Sequence, residues 1–228
     1  MPDSLILGVD TCGPEGSVAL GRLAGRDLEI LGQIELAGRT YSATLVAAVG
    51  KLLKRAGTEL RELGGIVAVN GPGSFTGVRV GLSAVKGLAE GTAIPVVAVS
   101  RLEVLSRKSG VPASALDAHR SEVFLRLERM SSDPAEILAG SRELAAIRPA
   151  PARVAVCDDG ALALLAAAWP GSQLVKIPAP VAADALRLGE ARLTAGAIAD
   201  LALLDGHYLR RSDAEIFGAT AAVGSEKP

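Results

Sequence analysis

The stretch Gly71-Pro72-Gly73-Ser74-Phe75-Thr76-Gly77, continued by Val78-Arg79-Val80-Gly81-Leu82, constrains the fold more than any other part of the chain. It follows a continuous apolar run at residues 65–70, the length of a strand covered on both faces. A helical pattern from about residue 76 to 90 comes after it. Three glycines in seven positions permit a backbone path that a side chain would block, and Pro72 stiffens that path. Ser74 and Thr76 are each suited to cap the helix. A stiff glycine turn between a buried strand and a helix is a βα junction that something must approach closely.

The rest of the chain repeats this vocabulary. Strands at 5–10, 17–22 and 27–35 form a β-meander around a turn at Thr11-Cys12-Gly13-Pro14-Glu15-Gly16. A helix at 41–56 carries Leu45, Val49 and Leu52 on one face and closes at Gly57. After the glycine turn and its helix, a strand at 94–99 leads to Ser100, which caps a short helix. The second half offers paired strands at 113–117 and 123–127 and a strand at 153–157. A turn at Gly160 with a helix to about 168, and a last helix at 182–193, complete it. The order is that of a mixed α/β layer made twice. The expected division is residues 1–104, joined by a helix from about 182–205, then 105–181, then a tail at 206–228 that frays from 223.

Composition sets the limits. Hydrophobic residues make up 49% and aromatics 3%, so the core must be built from Ala, Val, Leu and Ile. A net charge of −1 argues against a chain that grips nucleic acid alone. Cys12 and Cys157 are expected to stay unpaired. With no leader pattern and no membrane-spanning run, a cytoplasmic protein is expected.

The glycine block lacks the Lys-Ser or Lys-Thr of a P-loop, and its G-x-G-x-x-x-G spacing is not the dinucleotide fingerprint. Asp10 ends the first strand beside Thr11. It either caps its own turn or orients a metal or water near a phosphate, so Asp10 and Thr11 are the candidate cofactor contacts. His119 and His207 are far apart, no zinc spacing occurs, and Ser74 has no nucleophile elbow. No catalytic residue is nominated. In the helix after the turn, Leu82, Val85, Leu88 and Ala89 form an inward stripe, while Gly77, Gly81, Ala84, Gly87 and Gly91 form a small-residue one. The small stripe serves either packing against helix 41–56 or a second protein. The second reading is preferred, since helix glycines need compensation.

The glycine block with Arg79, Gly81-Leu82 and Lys86-Gly87-Leu88-Ala89 resembles the signature of the TsaB (YeaZ) family. Supporting marks are Leu7-Gly8-Val9-Asp10-Thr11, Ser17-Val18-Ala19-Leu20, Val99-Ser100, the run from Asp117-Ala118-His119-Arg120 to Phe124, and Tyr208-Leu209-Arg210. The resemblance implies a duplicated α/β fold of the actin/sugar-kinase (ribonuclease H-like) kind with a reduced second domain. It also implies a non-catalytic role in threonylcarbamoyl (t6A) modification of adenosine 37 in tRNAs that read codons beginning with A. The implied partners are a catalytic TsaD subunit, the ATPase TsaE, a second copy of the chain, and tRNA through the complex. No cofactor is implied for the chain alone, with ATP or ADP placed at the complex interface. The implied partner face is Gly71, Pro72, Gly73, Ser74, Phe75, Thr76, Gly77, Arg79, Gly81, Ala84, Val85 and Leu88, with Leu45, Val49 and Leu52 of the other helix. Tyr41-Ser42 stands where the family commonly has His-Ser, and Asp205-Gly206-His207 replaces a proline-containing approach to Tyr208. The alternatives are an autonomous ATP-dependent phosphotransferase and an M22-type metallopeptidase.

Overall fold

The computed structural model describes residues 4–25, 27–38, 40–128 and 135–210. The amino-terminal meander is β1 (Ser4–Asp10), β2 (Gly16–Ala24) and β3 (Asp27–Leu36). Helix α1 (Tyr41–Ala56) follows, then β4 (Leu63–Val69), α2 (Phe75–Glu90), β5 (Val96–Val99) and α3 (Arg101–Ser109). The second half runs β6 (Ser114–His119), β7 (Glu122–Leu127), β8 (Ala135–Gly140), α4 (Ser141–Ala146), β9 (Arg153–Val156), α5 (Asp159–Ala168) and β10 (Gln173–Lys176). Helix α6 (Ala182–Thr194) ends the regular structure described.

Each half holds a five-stranded mixed sheet of the same design. The first has the order β3-β2-β1-β4-β5 and the second β8-β7-β6-β9-β10, so β1 answers to β6 and β4 to β9. In both, the first three strands pair antiparallel and the last two add in parallel. Helices α1 and α2 have sixteen residues each, whereas their counterparts α4 and α5 have six and ten. This is the duplicated α/β fold expected from the sequence, with a smaller second half.

The reasons for the elements are local. Gly57 takes a left-handed φ of 66° and its amide bonds back to Leu53 and Lys54, which stops α1. The hydroxyl of Ser100 accepts the amides of Leu102 and Glu103 and starts α3. The pattern-based reading misses β8, α4 and β10. All three are short, and the two strands are edge strands defined by the neighbour they bond rather than by their own periodicity.

Helix α6 returns to cover the first sheet. It comes close because Gly8 and Gly189 carry no side chain: a Cβ on Gly189 would stand 2.4 Å from Val67 Cγ1, and one on Gly8 would stand 2.8 Å from the Ala182 carbonyl oxygen. Leu186, wholly buried, fills the space between them. The second core gathers Val123, Leu125, Leu144, Val154, Leu165 and Trp169, whose indole N–H donates to the Leu144 carbonyl at 3.0 Å.

The Gly189–Val67 contact gives a direct test. Gly189→Ala is expected to destabilise the protein by about 1–2 kcal/mol, because overpacking outweighs the roughly 1 kcal/mol that Ala gains in helix propensity. Urea unfolding measures the difference.

Candidate functional site

The glycine turn and the β1–β2 turn are fused into one junction. The Ser74 amide donates to the Cys12 carbonyl at 2.8 Å. The Thr11 hydroxyl donates to the Gly77 carbonyl at 2.7 Å. A Cβ on Gly73 would lie 2.2 Å from the Cys12 oxygen, on Gly77 2.0 Å from the Thr11 oxygen, and on Gly81 2.2 Å from the Thr11 hydroxyl. These three glycines therefore serve the chain's own packing. Ser74 caps α2 by accepting the Gly77 amide at 3.3 Å, and the exposed Thr76 lies within the helix and makes no cap.

Beneath the junction lies a buried ion pair. Arg101 Nε stands 3.4 Å from Asp10 Oδ2, with side chains only 7% and 2% exposed. Asp10 Oδ1 accepts the Cys12 amide at 2.9 Å, and the Arg101 amide donates to the Gly71 carbonyl at 2.7 Å. Burial opposes the guanidinium's charge, but Asp10, Cys12, Cys157 and the bond to Asp10 together outweigh it and hold it protonated. The Cys12 thiol, fully buried and close to Asp10, is pushed well above its ordinary range, and it donates to the Val69 carbonyl. Tyr41, where the family commonly has histidine, donates its hydroxyl to the Gly13 carbonyl at 2.8 Å. Burial and then Asp10 push its pKa up to about 12, so it remains a neutral donor.

A cleft of about 1180 Å³ opens between the halves, walled by Glu15, Tyr41, Phe75, Asp117, Asp158 and His207 among others. Part of the donor set an anion would need here is already used. The Ser74, Gly77 and Val78 amides are all spent inside the turn. Asp10 and Thr11, the sequence's cofactor candidates, are buried and fully engaged, with the guanidinium of Arg101 against the carboxylate. At the matching place in the second half, Asp158 caps α5 through the Ala161 amide and also accepts the Asp117 amide. Asp117 in turn lies 3.2 Å from His119 Nδ1. Both helix starts are thus partly capped by the chain's own groups, and carboxylates stand at the second. Among the described residues no group of three His, Cys, Asp or Glu side chains is arranged to hold a metal ion. Ser74 has no base beside it in any bond described.

Glu136 ties the halves together and holds His207, which lines this cleft. Its carboxylate accepts from the Ser100 hydroxyl at 2.7 Å, from Arg126 at 2.6 Å, and from His207 Nε2 at 2.9 Å. Burial pushes the carboxyl up, but the bonds from His207, Ser100 and Arg126 win and hold it below its ordinary value. The His207 amide donates to the Asn70 carbonyl, which anchors the segment before Tyr208 on the end of β4.

The solvent side of α1 and α2 is a different surface. Leu45, Val49, Leu52 and Val85, assigned from sequence to a partner face, are buried in the chain's own core, as are Gly71 and Pro72. Ser74, Thr76 and Arg79 are exposed, and Phe75, Ala84 and Leu88 half-exposed. The face outside them is made by Ala43, Val46, Ala47 and Gly50 on α1 and by Val80, Ser83 and Gly87 on α2. Val46 is 58% exposed, and between the helices runs an apolar groove of about 320 Å³. A Cβ on Gly50 or on Gly87 would meet nothing within 4 Å. The described residues therefore give no reason for glycine at either place, although each costs about 1 kcal/mol in helix propensity.

A family model described as TsaD: tRNA N6-adenosine threonylcarbamoyltransferase matches residues 31–142. The tRNA threonylcarbamoyladenosine biosynthesis protein TsaB of Escherichia coli is 34% identical over 125 residues, covering 52% of this chain and 52% of that protein. The chain spans about half the length of the curated relatives it matches. Among solved structures, a Pseudomonas aeruginosa protein described as similar to peptidase YEAZ superposes with a TM-score of 0.74 at 27% identity, over 91% of this chain and all of the other. YeaZ from Pseudomonas aeruginosa gives 0.68 at 25% identity, over 90% and 100%.

Two outcomes follow from the buried charges. Arg101→Met leaves the Asp10 carboxylate without its cation and is expected to cost about 3–5 kcal/mol in urea unfolding, whereas adding Asp10→Asn recovers a large part of the loss. Because the Glu136 carboxyl is held low in the folded protein, its contribution is present above the ordinary glutamate value of 4.5 and drains away as pH falls below it. Unfolding followed across that window should decline steeply for the native chain and more gently for Glu136→Gln, which starts less stable at neutral pH.

Proposed function

Since the chain belongs to the TsaB (YeaZ) family, we propose that it is the non-catalytic partner of a TsaD subunit in t6A modification of tRNA. In this reading it works in the cytoplasm, docks on TsaD through the outer face of α1 and α2, and helps bring in the ATPase TsaE. It meets tRNA only through the complex. It binds no nucleotide by itself, and any ATP or ADP lies at the boundary between subunits.

The observation that carries the reading is the pair of outward glycines. Gly50 and Gly87 sit mid-helix with open space beyond them. Removing side chains from two facing helices lets the backbone of a third element approach closely, which is what a docking surface gains for the lost helix propensity. The neighbouring side chains, Ala43, Val46, Ala47 and Val80, are apolar and exposed or half-exposed, as the core of an interface should be. The phosphotransferase alternative meets an Asp10 carboxylate already paired with Arg101, and the metallopeptidase alternative has no donor set among the described residues.

The test uses Gly87→Gln, a neutral, longer side chain that points into open space. The monomer is expected to gain about 0.5–1 kcal/mol in urea unfolding. Its affinity for TsaD should fall at least about tenfold by titration calorimetry. In parallel, tRNA modification reconstituted from purified components should drop sharply when the chain is left out. Undiminished pairing would remove this face from the interface, and undiminished modification without the chain would remove the function.

A further inference from the structure

Arg101 has more hydrogen-bonding capacity than the fold uses. Its side chain is 7% exposed, yet its one side-chain bond runs from Nε to Asp10 Oδ2, at a long 3.4 Å. Among the described residues no acceptor is bonded to Nη1 or Nη2. These two nitrogens form the outer edge of the guanidinium, the edge that forks onto an oxyanion. They are not sealed in the core. Among the described residues the only buried side-chain polar atom left without a partner is Glu190 Oε2. The solvent that reaches Nη1 and Nη2 is that of the cleft between the halves, which Arg101 lines.

The surroundings leave room for that edge. A Cβ on Gly13 would stand 2.4 Å from Nη2 and 2.9 Å from Cζ, so the β1–β2 turn admits the guanidinium by omitting a side chain. Ser74 and Phe75, at the positive end of α2, stand on the same cleft wall. Burial pushes the Cys157 thiol up to about 11 and the guanidinium opposes this, so its charge is felt on the second half as well. Arg210, His207 and His119 also line the cleft, but each faces a carboxylate, Glu122, Glu136 and Asp117 in turn.

We infer that the cleft between the halves binds a small monocarboxylate, its carboxylate on Nη1 and Nη2 of Arg101 and an apolar body against Phe75, Phe124 and Tyr208. A planar carboxylate matches the outer edge of a guanidinium with two parallel bonds. Asp10 already offsets part of the positive charge, and Glu15, Asp117 and Asp158 stand on the cleft walls. One further negative charge is therefore accommodated, whereas the several charges of a nucleotide would meet repulsion. The site lies apart from the outer face of α1 and α2 and goes beyond the docking role.

NMR on the full chain labelled with nitrogen-15 tests this, with sodium benzoate and inorganic phosphate as separate probes. Benzoate should move the Arg101 Nη signals, assigned by through-bond correlation to its own amide, together with the amides of Gly13 and Phe75. All should follow one saturating curve with a Kd of about 1–10 mM. Phosphate should bind at least about fivefold more weakly. Arg101→Lys, which keeps a cation beside Asp10 without the fork, should weaken benzoate at least about fivefold with circular dichroism unchanged. Should that variant fail to fold, the native chain's own Arg101 signals decide. Arg101 signals that stay still up to about 50 mM benzoate would overturn the inference. So would shifts confined to residues outside the cleft, or benzoate binding that ignores Arg101→Lys. Phosphate binding as tight as benzoate would overturn the carboxylate assignment. None of these outcomes touches pairing with TsaD, so the functional reading stands or falls separately.

Discussion

The seating of α2 on the turn that follows β1 sets the position of everything else near the site. The helix starts so close to that turn that no side chain fits at Gly73, Gly77 or Gly81, and the Thr11 hydroxyl and Ser74 amide bond across the gap. Because the same turn is held from below by Asp10 and Arg101, and Arg101 opens α3, the contact extends to the element that leads into the second half. Tyr41, bonding to Gly13, brings α1 into the same arrangement. The turn at 11–15 thus fixes the relative placement of α1, α2 and α3.

This construction also uses up part of what a phosphate site would need. A helix start binds anions through free amides, and here the Ser74 and Gly77 amides are spent on Cys12 and on the Ser74 hydroxyl. The carboxylate that would orient a metal ion is held by a guanidinium instead. The second half repeats the geometry and closes it differently, with Asp158 on the helix start and Asp117 beside it. Glu136 joins the halves, receiving bonds from α3's cap, from β7 and from His207, which lines the cleft.

The duplicated architecture was legible in the sequence because buried strands and capped helices announce themselves locally. The limits of the glycine helix, its Ser74 cap and the Gly57 stop are all short-range effects. What escaped depends on distance in sequence. Arg101 stands 91 residues from Asp10, and nothing near it names its partner; the available signal was a charged residue directly beside Leu102, Val104 and Leu105, on a helix whose other inward positions are apolar. Glu136 lies on β8, an edge strand too short to be seen by periodicity. Leu45, Val49, Leu52 and Val85 were given to a partner face because hydrophobic residues on an amphipathic helix look alike whether the chain's own core or another protein covers them.

The glycines of α2 show how that ambiguity resolves. From spacing alone, Gly77, Gly81 and Gly87 form one stripe with one cause. In the fold they separate: the first two are demanded by Thr11, and the third, with Gly50 across the groove, is demanded by nothing among the described residues. Selection for stability would fill the latter pair with alanine at a gain of about 1 kcal/mol each. That open space beyond Gly50 and Gly87 is the reason the proposed docking surface is placed on the outer face of α1 and α2 rather than in the larger cleft.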